Sequence, residues 1–279
     1  MPTESLVSIC IPAYNHEKYV KVALDSVLND AYQNKEIIII DDGSTDGTAG
    51  VIEEWIDDNH HKIPVKFFSR PNKGICATFN ELVSHAAGVF ITLLASDDYL
   101  LENSLGPRVN YLLERDDKFA VIGDAIAIDD NGEILYDSAM VGLYKVDINR
   151  YLHDESLRRE IIYNWAVPGP VLMVKSEIYK KLGVYNSRLK VEDWDYYLRM
   201  VSQNMLGFIP DKVSAYRVHG ENFSRKKGVK CSMYAQMIKT AFYNISLFKF
   251  KDQVLLLRFV CLNAMAYLKN FILFRCRRK

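Results

Sequence analysis

Two pairs of carboxylates stand out among the residues able to do chemistry. Asp97-Asp98 follows the apolar run Val89–Leu94 across Ala95-Ser96, and Glu192-Asp193 precedes Trp194, Tyr196 and Tyr197. Adjacent carboxylates at a strand end repel each other, so a fold that keeps them there usually sets a cation beside them. Short-reach oxygen ligands with no cysteine nearby point to Mg2+ or Mn2+ rather than zinc, and such an ion bridges carboxylates to phosphates. For an isolated Asp-Asp, a solvated turn or a helix cap before Leu100 is the commoner explanation. Aromatic rings stack on the apolar faces of sugars, and a carboxylate beside them can have a raised pKa and act as general base. Acids in a first helical turn also simply complement the helix dipole. His219, in Tyr216-Arg217-Val218-His219, could complete a metal site begun by Asp98, although a lone histidine is more often structural.

The elements that must position these residues follow from apolar spacing. Leu6–Pro12, Glu36–Ile40, Val65–Phe68 and Val89–Leu94 predict four strands, and helices are predicted over His16–Asn29, through Val51, Ile52 and Trp55 with a cap from Thr45-Asp46-Gly47-Thr48, and over Ile75–Ala87. Strands alternating with helices imply crossover connections and a mainly parallel sheet, whose ligands collect at the carboxyl ends of the strands. The loops beginning at Pro12, Asp41 and Ala95 all lie at those ends. Pro12-Ala13-Tyr14-Asn15 offers a ring and an amide there. Asp41-Asp42-Gly43-Ser44 offers acceptors for a base N–H or a ribose hydroxyl, or else an ordinary turn. The second half predicts a strand over Ala120–Ile128, a tight turn at Asp129–Gly132 into Ile134–Tyr136, and a strand over Val171–Val174. Helices follow at Ser176–Leu182 and from Glu192, then late strands at Phe208-Ile209 and Val213–Val218, and helix beyond Ser224.

A chain of 279 residues with 49% hydrophobic and 25% charged residues is an ordinary globular protein, and its net charge of zero argues against a dedicated nucleic-acid binder. That average hides a segregation. Residues 222–279 hold thirteen Lys/Arg and one acid, Asp252, leaving 22 bases against 34 acids in the other 221 residues. Val254–Phe274 is strongly apolar, yet its longest uncharged stretch, Phe259–Leu268, falls far short of the ~20 residues that span a bilayer. Lys251, Arg258 and Lys269 share nearly one bearing on a helical wheel, and Arg275, Arg277, Arg278 and Lys279 close the tail. The pattern suits a helix lying in a membrane interface and drawn to anionic lipid, or else one that packs on the protein's own core or on a second copy in a homo-oligomer. Cys10, Cys76, Cys231, Cys261 and Cys276 show no paired spacing, which suggests a reducing compartment with neither a disulfide framework nor a zinc site. The N-terminus lacks the pattern of a secretory signal, so a cytoplasmic location is expected.

Taken in order, these segments resemble the inverting family 2 glycosyltransferases of the GT-A fold. The likeness rests on Val7–Asn15, on Ile38–Gly47 with its Asp-Asp-Gly-Ser-Thr-Asp-Gly, on Asn72-Lys73-Gly74, on Leu94–Asp98, on Glu192-Asp193 and on Tyr216–Ser224. It implies an α/β fold, a Rossmann-like mixed sheet flanked by helices. Residues 1–221 would be the catalytic domain, divided into a nucleotide-binding half (1–100) and an acceptor-side half (101–221), with a helical extension over 222–279. Pro12, Tyr14 and Asp42 would line the nucleoside pocket with Asn15 and Glu17 nearby, and Asn72 and Lys73 would lie close to the nucleotide. Ser96 and Glu192 would join the donor site, and Asp97 would contact ribose or diphosphate. Asp98 and His219 would hold Mn2+ or Mg2+, and Asp193 would be the general base. Many relatives carry an acid where Ala95 stands, so this chain offers fewer carboxylates to the ion.

The implied activity is hexosyl transfer from a nucleotide sugar, with UDP-sugar expected, to a glycan or lipid-diphosphate-linked acceptor in surface polysaccharide synthesis. The enzyme would then work at the inner face of the cell membrane. A non-catalytic GT-A scaffold or sugar-binding domain is the alternative, and the presence of Asp98 and Asp193 speaks against it. A nucleotidyltransferase would call for a Gly-rich, basic loop after the first strand, and Pro12–Glu17 is not one.

Overall fold

Four consecutive isoleucines, Ile37–Ile40, are fully buried. β-Branched side chains buried on both faces mark the interior of a parallel sheet covered by helices. The computed structural model describes residues 4–219 and 229–276, with side chains up to residue 268 except for 229–231. Its first part runs β1 (Val7–Ala13), α1 (Val20–Asn29), β2 (Lys35–Asp41), α2 (Thr48–Asn59), β3 (Val65–Ser69), α3 (Ile75–His85) and β4 (Phe90–Leu93). These four strands are parallel in the order β3-β2-β1-β4. Helix α1 buries Val20, Ala23, Leu24 and Val27, the i, i+3, i+4, i+7 stripe of an amphipathic helix.

The second part reverses direction. It adds β5 (Tyr99–Leu100), α4 (Leu105–Glu114), β6 (Ala120–Ile128), β7 (Ile134–Tyr136), α5 (Asp154–Tyr163), β8 (Leu172–Lys175), α6 (Ile178–Leu182), α7 (Glu192–Ser202) and β9 (Leu206–Arg217). β8 lies antiparallel between β4 and β6, β9 runs parallel to β6, and β5 pairs antiparallel with the far side of β9. That last pairing sets Tyr99 opposite Ala215. It thereby brings Arg217 at the end of β9, with Val218-His219 beyond, beside the Asp97-Asp98 turn.

Two boundaries differ from the apolar spacing. The helix expected from His16 begins at Val20, because Asn15 takes a left-handed φ of 54° and the His16 N–H donates to Thr48 Oγ1 at 2.8 Å. The chain is thus bent around the start of α2 before it can coil. The two late strands are one, β9, whose register with β6 shifts around Asp124. Pro210, which has no N–H to give the ladder, lies within the segment that bulges.

Helices α8 (Val229–Asn244) and α9 (Phe250–Cys276) pack on each other, α9 also touches α5, and α8 touches α7. Leu256, Phe259 and Val260 are buried, and the Phe259 ring lies 4.8 Å from that of Trp194. One face of the basic tail is therefore core. No helix among the described residues is long and apolar enough to cross a membrane. Of the segments singled out in the sequence, residues 220–224 of the late His motif and 277–279 of the basic cluster lie outside the described residues, as do the side chains of Lys269 and Arg275.

Candidate active site

The site is built from the carboxyl ends of β1, β2 and β4. After β2, Asp42 is buried and fully engaged: its Oδ1 accepts from the Lys73 N–H at 2.8 Å, its Oδ2 accepts from the Gly74 N–H at 3.0 Å, and Arg70 pairs with it. Asp42 thus holds the 70–74 loop against the strand end. The close approach requires Gly43: at φ +77° a Cβ there would sit 2.7 Å from the Asn72 N. Asn15 ties the β1 loop to the β2 loop, its Oδ1 accepting from Thr45 N at 2.8 Å and its N–H donating to Ser44 Oγ at 2.9 Å. Glu17 accepts from Gly47 N at 2.9 Å. Pro12 is half-buried, whereas Tyr14, Asn72 and Lys73 are exposed around this corner, the Lys73 ammonium 3.3 Å from Glu81. The residues expected to touch the nucleoside therefore share one strand-end region. Asn15 and Asp42 brace it from within, and the exposed Glu17 ties its rim.

The Asp97-Asp98 turn separates the two carboxylates. Asp98 points inward and is almost wholly buried, its Oδ1 accepting from the Arg217 N–H at 2.7 Å. Burial first, and the Asp97 charge second, push its carboxyl well above the ordinary value. Asp97 turns instead toward two imidazoles. Its Oδ2 lies 2.9 Å from His219 Nε2 and 3.8 Å from His16 Nε2, and His16 Nδ1 meets the buried Ser96 Oγ at 2.8 Å. Burial opposes the charge of Asp97, yet the His219 hydrogen bond and the nearby His16 hold its carboxyl below the ordinary value. Arg217 locks the turn, donating from Nε to the Asp97 carbonyl at 2.8 Å and stacking 4.6 Å over the Tyr19 ring.

One atom each of His16, Asp97 and His219 falls within 4.8 Å of the others, a spacing and donor set that fit one divalent cation. The sequence expectation placed Asp98 with His219 on the metal. Among the described residues the converging ligand atoms are those of Asp97 with His219 and His16, because the Asp98 carboxylate faces the Arg217 backbone. His16 was not foreseen as part of this cluster. It stands beside Asn15 in sequence, but 81 residues separate it from Asp97. Arg217 was legible only as part of a motif string, since its role depends on the β5–β9 pairing.

The second acidic pair opens α7. Asp193 Oδ1 accepts from the Trp194 N–H at 2.7 Å, and Trp194 behind it is buried, its Nε1 donating to the Ile161 carbonyl at 2.8 Å. The Asp193 side chain is exposed at the start of the helix, and desolvation by the surrounding protein raises its carboxyl above the ordinary value. Glu192 is half-buried; desolvation first and the Asp193 charge second push it up to about 8. Glu192 and Lys73 line one cleft of about 570 Å3 with Gly74, Cys76, Leu189 and Lys190. A second cleft of about 510 Å3 is lined by Asn15, His16, Glu17, Asp46, Asp130 and His219. The fold thus brings Glu192 to the 70–74 loop, and His219 to the Asn15–Glu17 loop.

Comparison with known proteins agrees with this architecture. The sequence profile described as glycosyl transferase family 2 matches residues 8–182. An uncharacterized glycosyltransferase of Rickettsia typhi is 27% identical over 217 residues, which cover 77% of this chain and 64% of that protein. The chain thus spans less than two thirds of the length of this curated relative. Among solved structures, Staphylococcus aureus TarS (residues 1–349) in complex with UDP-GlcNAc aligns with a TM-score of 0.69 at 20% identity, over 92% of this chain and 72% of that one. The mannosyltransferase PcManGT of Pyrobaculum calidifontis, in complex with GDP-Man and Mn2+, aligns with a TM-score of 0.71 at 17% identity, over 95% and 73%. These likenesses give the fold, a GT-A arrangement of mixed sheet and helices.

Proposed function

The chain belongs to glycosyl transferase family 2, and on that premise we propose that it is a glycosyltransferase carrying out the following reaction. A sugar passes from a nucleoside-diphosphate sugar, with UDP as the expected nucleotide, to a glycan or lipid-diphosphate-linked acceptor, with inversion at the anomeric carbon. The observation that carries this reading is the convergence of His16, Asp97 and His219 at the end of the sheet where the Asp42 and Lys73 loops also meet. The solved structures of similar fold hold UDP-GlcNAc, or GDP-Man with Mn2+, which supports a nucleotide-sugar donor.

In this reading the exposed Tyr14 ring and Pro12 pack on the base, and Asn72 and Lys73 reach the nucleotide from the loop that Asp42 holds. A divalent cation held by His16, Asp97 and His219 would offset the charge of the departing diphosphate. Two nitrogens and one oxygen suit Mn2+ better than Mg2+, which prefers an all-oxygen shell. Asp193 accepts the proton of the acceptor hydroxyl as that oxygen bonds to the anomeric carbon and the bond to the diphosphate breaks. Glu192, protonated below about pH 8, donates to a sugar hydroxyl in the shared cleft. The basic tail holds the enzyme at the anionic inner face of the cell membrane, where a lipid-linked acceptor for surface polysaccharide would lie.

Calorimetric titration with UDP- and GDP-sugars, with and without Mn2+, tests the donor. Asp193→Asn tests the base: turnover should fall about a thousandfold while donor affinity is kept. Near-wild-type turnover in that variant would remove Asp193 from the mechanism, and failure of every nucleotide sugar to bind would remove the donor class.

A further inference from the structure

Helix α9 is apolar on two opposite sides. Leu256, Phe259 and Val260 face the protein, where Phe259 meets Trp194. At 100° per residue, Val254, Leu257, Met265 and Leu268 fall on the far side, and each is 42–57% exposed. Phe250, at the start of the helix and on the same side, is 80% exposed. A helix hydrophobic all round normally has both faces covered. Packing on α8 and α5, with Trp194 of α7 against Phe259, leaves these far-side residues exposed.

Between the two faces runs a basic edge. Lys251 and Arg258 lie along it, and Arg159 of α5 reaches it from the catalytic body, so that the three line a groove of about 220 Å3 together with Glu155, Asp252 and Val254. Both acids of the groove are engaged: Glu155 pairs with Lys251 at 2.5 Å, and Asp252 lies 3.9 Å from Arg158. Arg258 rests 5.6 Å over the Tyr163 ring. Among the described residues no carboxylate lies within ion-pair distance of Arg159 or Arg258. Two guanidinium forks, each suited to bidentate contact with phosphate, therefore border an exposed apolar face.

We propose that the α5–α9 groove binds the phosphate head groups of an anionic lipid surface, with the exposed face of α9 seated among the acyl chains. The inference rests on the membrane association proposed above and deepens it, moving the contact from the terminal basic cluster to a composite site that includes the catalytic body. A second copy of the chain is the competing occupant of the face. An antiparallel twofold contact between two α9 helices would set one basic edge against the other, and the single acid of residues 222–279, Asp252, is already beside Arg158. Charge therefore favours a lipid surface.

Flotation of the full chain with phosphatidylcholine vesicles, with and without phosphatidylglycerol, tests this. Binding should require phosphatidylglycerol, weaken with salt, persist in the presence of inorganic phosphate, and fall about tenfold in Arg159→Gln/Arg258→Gln. Leu257→Ser/Met265→Ser, altered only at exposed positions, should weaken binding to the same vesicles. Undiminished binding by the arginine variant would overturn the groove while leaving attachment through the tail intact. A concentration-dependent dimer in sedimentation velocity that Leu257→Ser/Met265→Ser abolishes would assign the face to a second copy. Asp193→Asn should float like the wild type, so a failure of the transferase mechanism leaves this result unaffected.

Discussion

Glu192 and Asp193 share the first turn of α7 yet stand differently toward the proton. Asp193 is raised by desolvation, while Glu192 is raised to about 8 by desolvation and by the neighbouring charge. If Asp193 is the base, kcat/KM should rise with pH along an acid limb whose midpoint lies above the ordinary aspartate value, with a second inflection near pH 8 as Glu192 ionises. Glu192→Gln should keep the acid limb and lose that second inflection, which a pH–rate profile of both proteins would reveal. The same shift has a stability consequence with a definite sign. The folded chain keeps the Glu192 proton while the unfolded chain loses it from the ordinary value of 4.5, so this contribution is full at low pH and is lost as pH rises toward 8. The Tm advantage of Glu192→Gln over the wild type should therefore grow between pH 5 and pH 8.

Helix α7 is held by side chains from the C-terminal helices. Asn244 of α8 donates from Nδ2 to the buried Asp195 Oδ1 at 2.7 Å, Asp195 pairs with Arg199 at 2.8 Å, and Arg199 donates to the Leu182 carbonyl at 2.8 Å. Phe259 of α9 covers Trp194, the residue after Asp193. Replacing Phe259 by Ala should cost about 3 kcal/mol of stability through the lost burial and the cavity left behind. Asn244→Leu removes one donor from a buried carboxylate and should cost about 1–3 kcal/mol. Denaturant titration measures both. Because the loosened element carries Asp193, kcat should fall more than donor affinity, and Phe259→Leu should recover most of the loss.

At the scale of the molecule, two later parts of the chain complete what the first four strands begin. His219 follows the last strand and joins His16 and Asp97, so Mn2+ should raise the Tm of the wild type by mass action, and His219→Ala should reduce that increase. Mg2+ should give a smaller shift at equal concentration, as its preference for oxygen donors dictates. The C-terminal helices close the core over α5 and α7. A chain cut after residue 221 would expose Trp194 and should show a lower Tm than the full chain even with metal present, as thermal unfolding would reveal.

The sequence by itself determined the alternating strands and helices, the strand-end positions of Asp42 and Asp97, and the helical start at Glu192. These depend on local apolar spacing and on turn residues, which act within a few positions of the chain. It also carried the family motifs. Only the tertiary structure decided which of Asp97 and Asp98 faces the imidazoles, since that follows from the β5–β9 pairing and the Arg217 N–H that takes Asp98. It likewise decided that His16, read from its spacing as the start of a helix, lies beside Asp97 and His219. The two-sided character of α9 was equally hidden: an apolar run records how much surface wants cover, and only packing shows which side the protein covers itself.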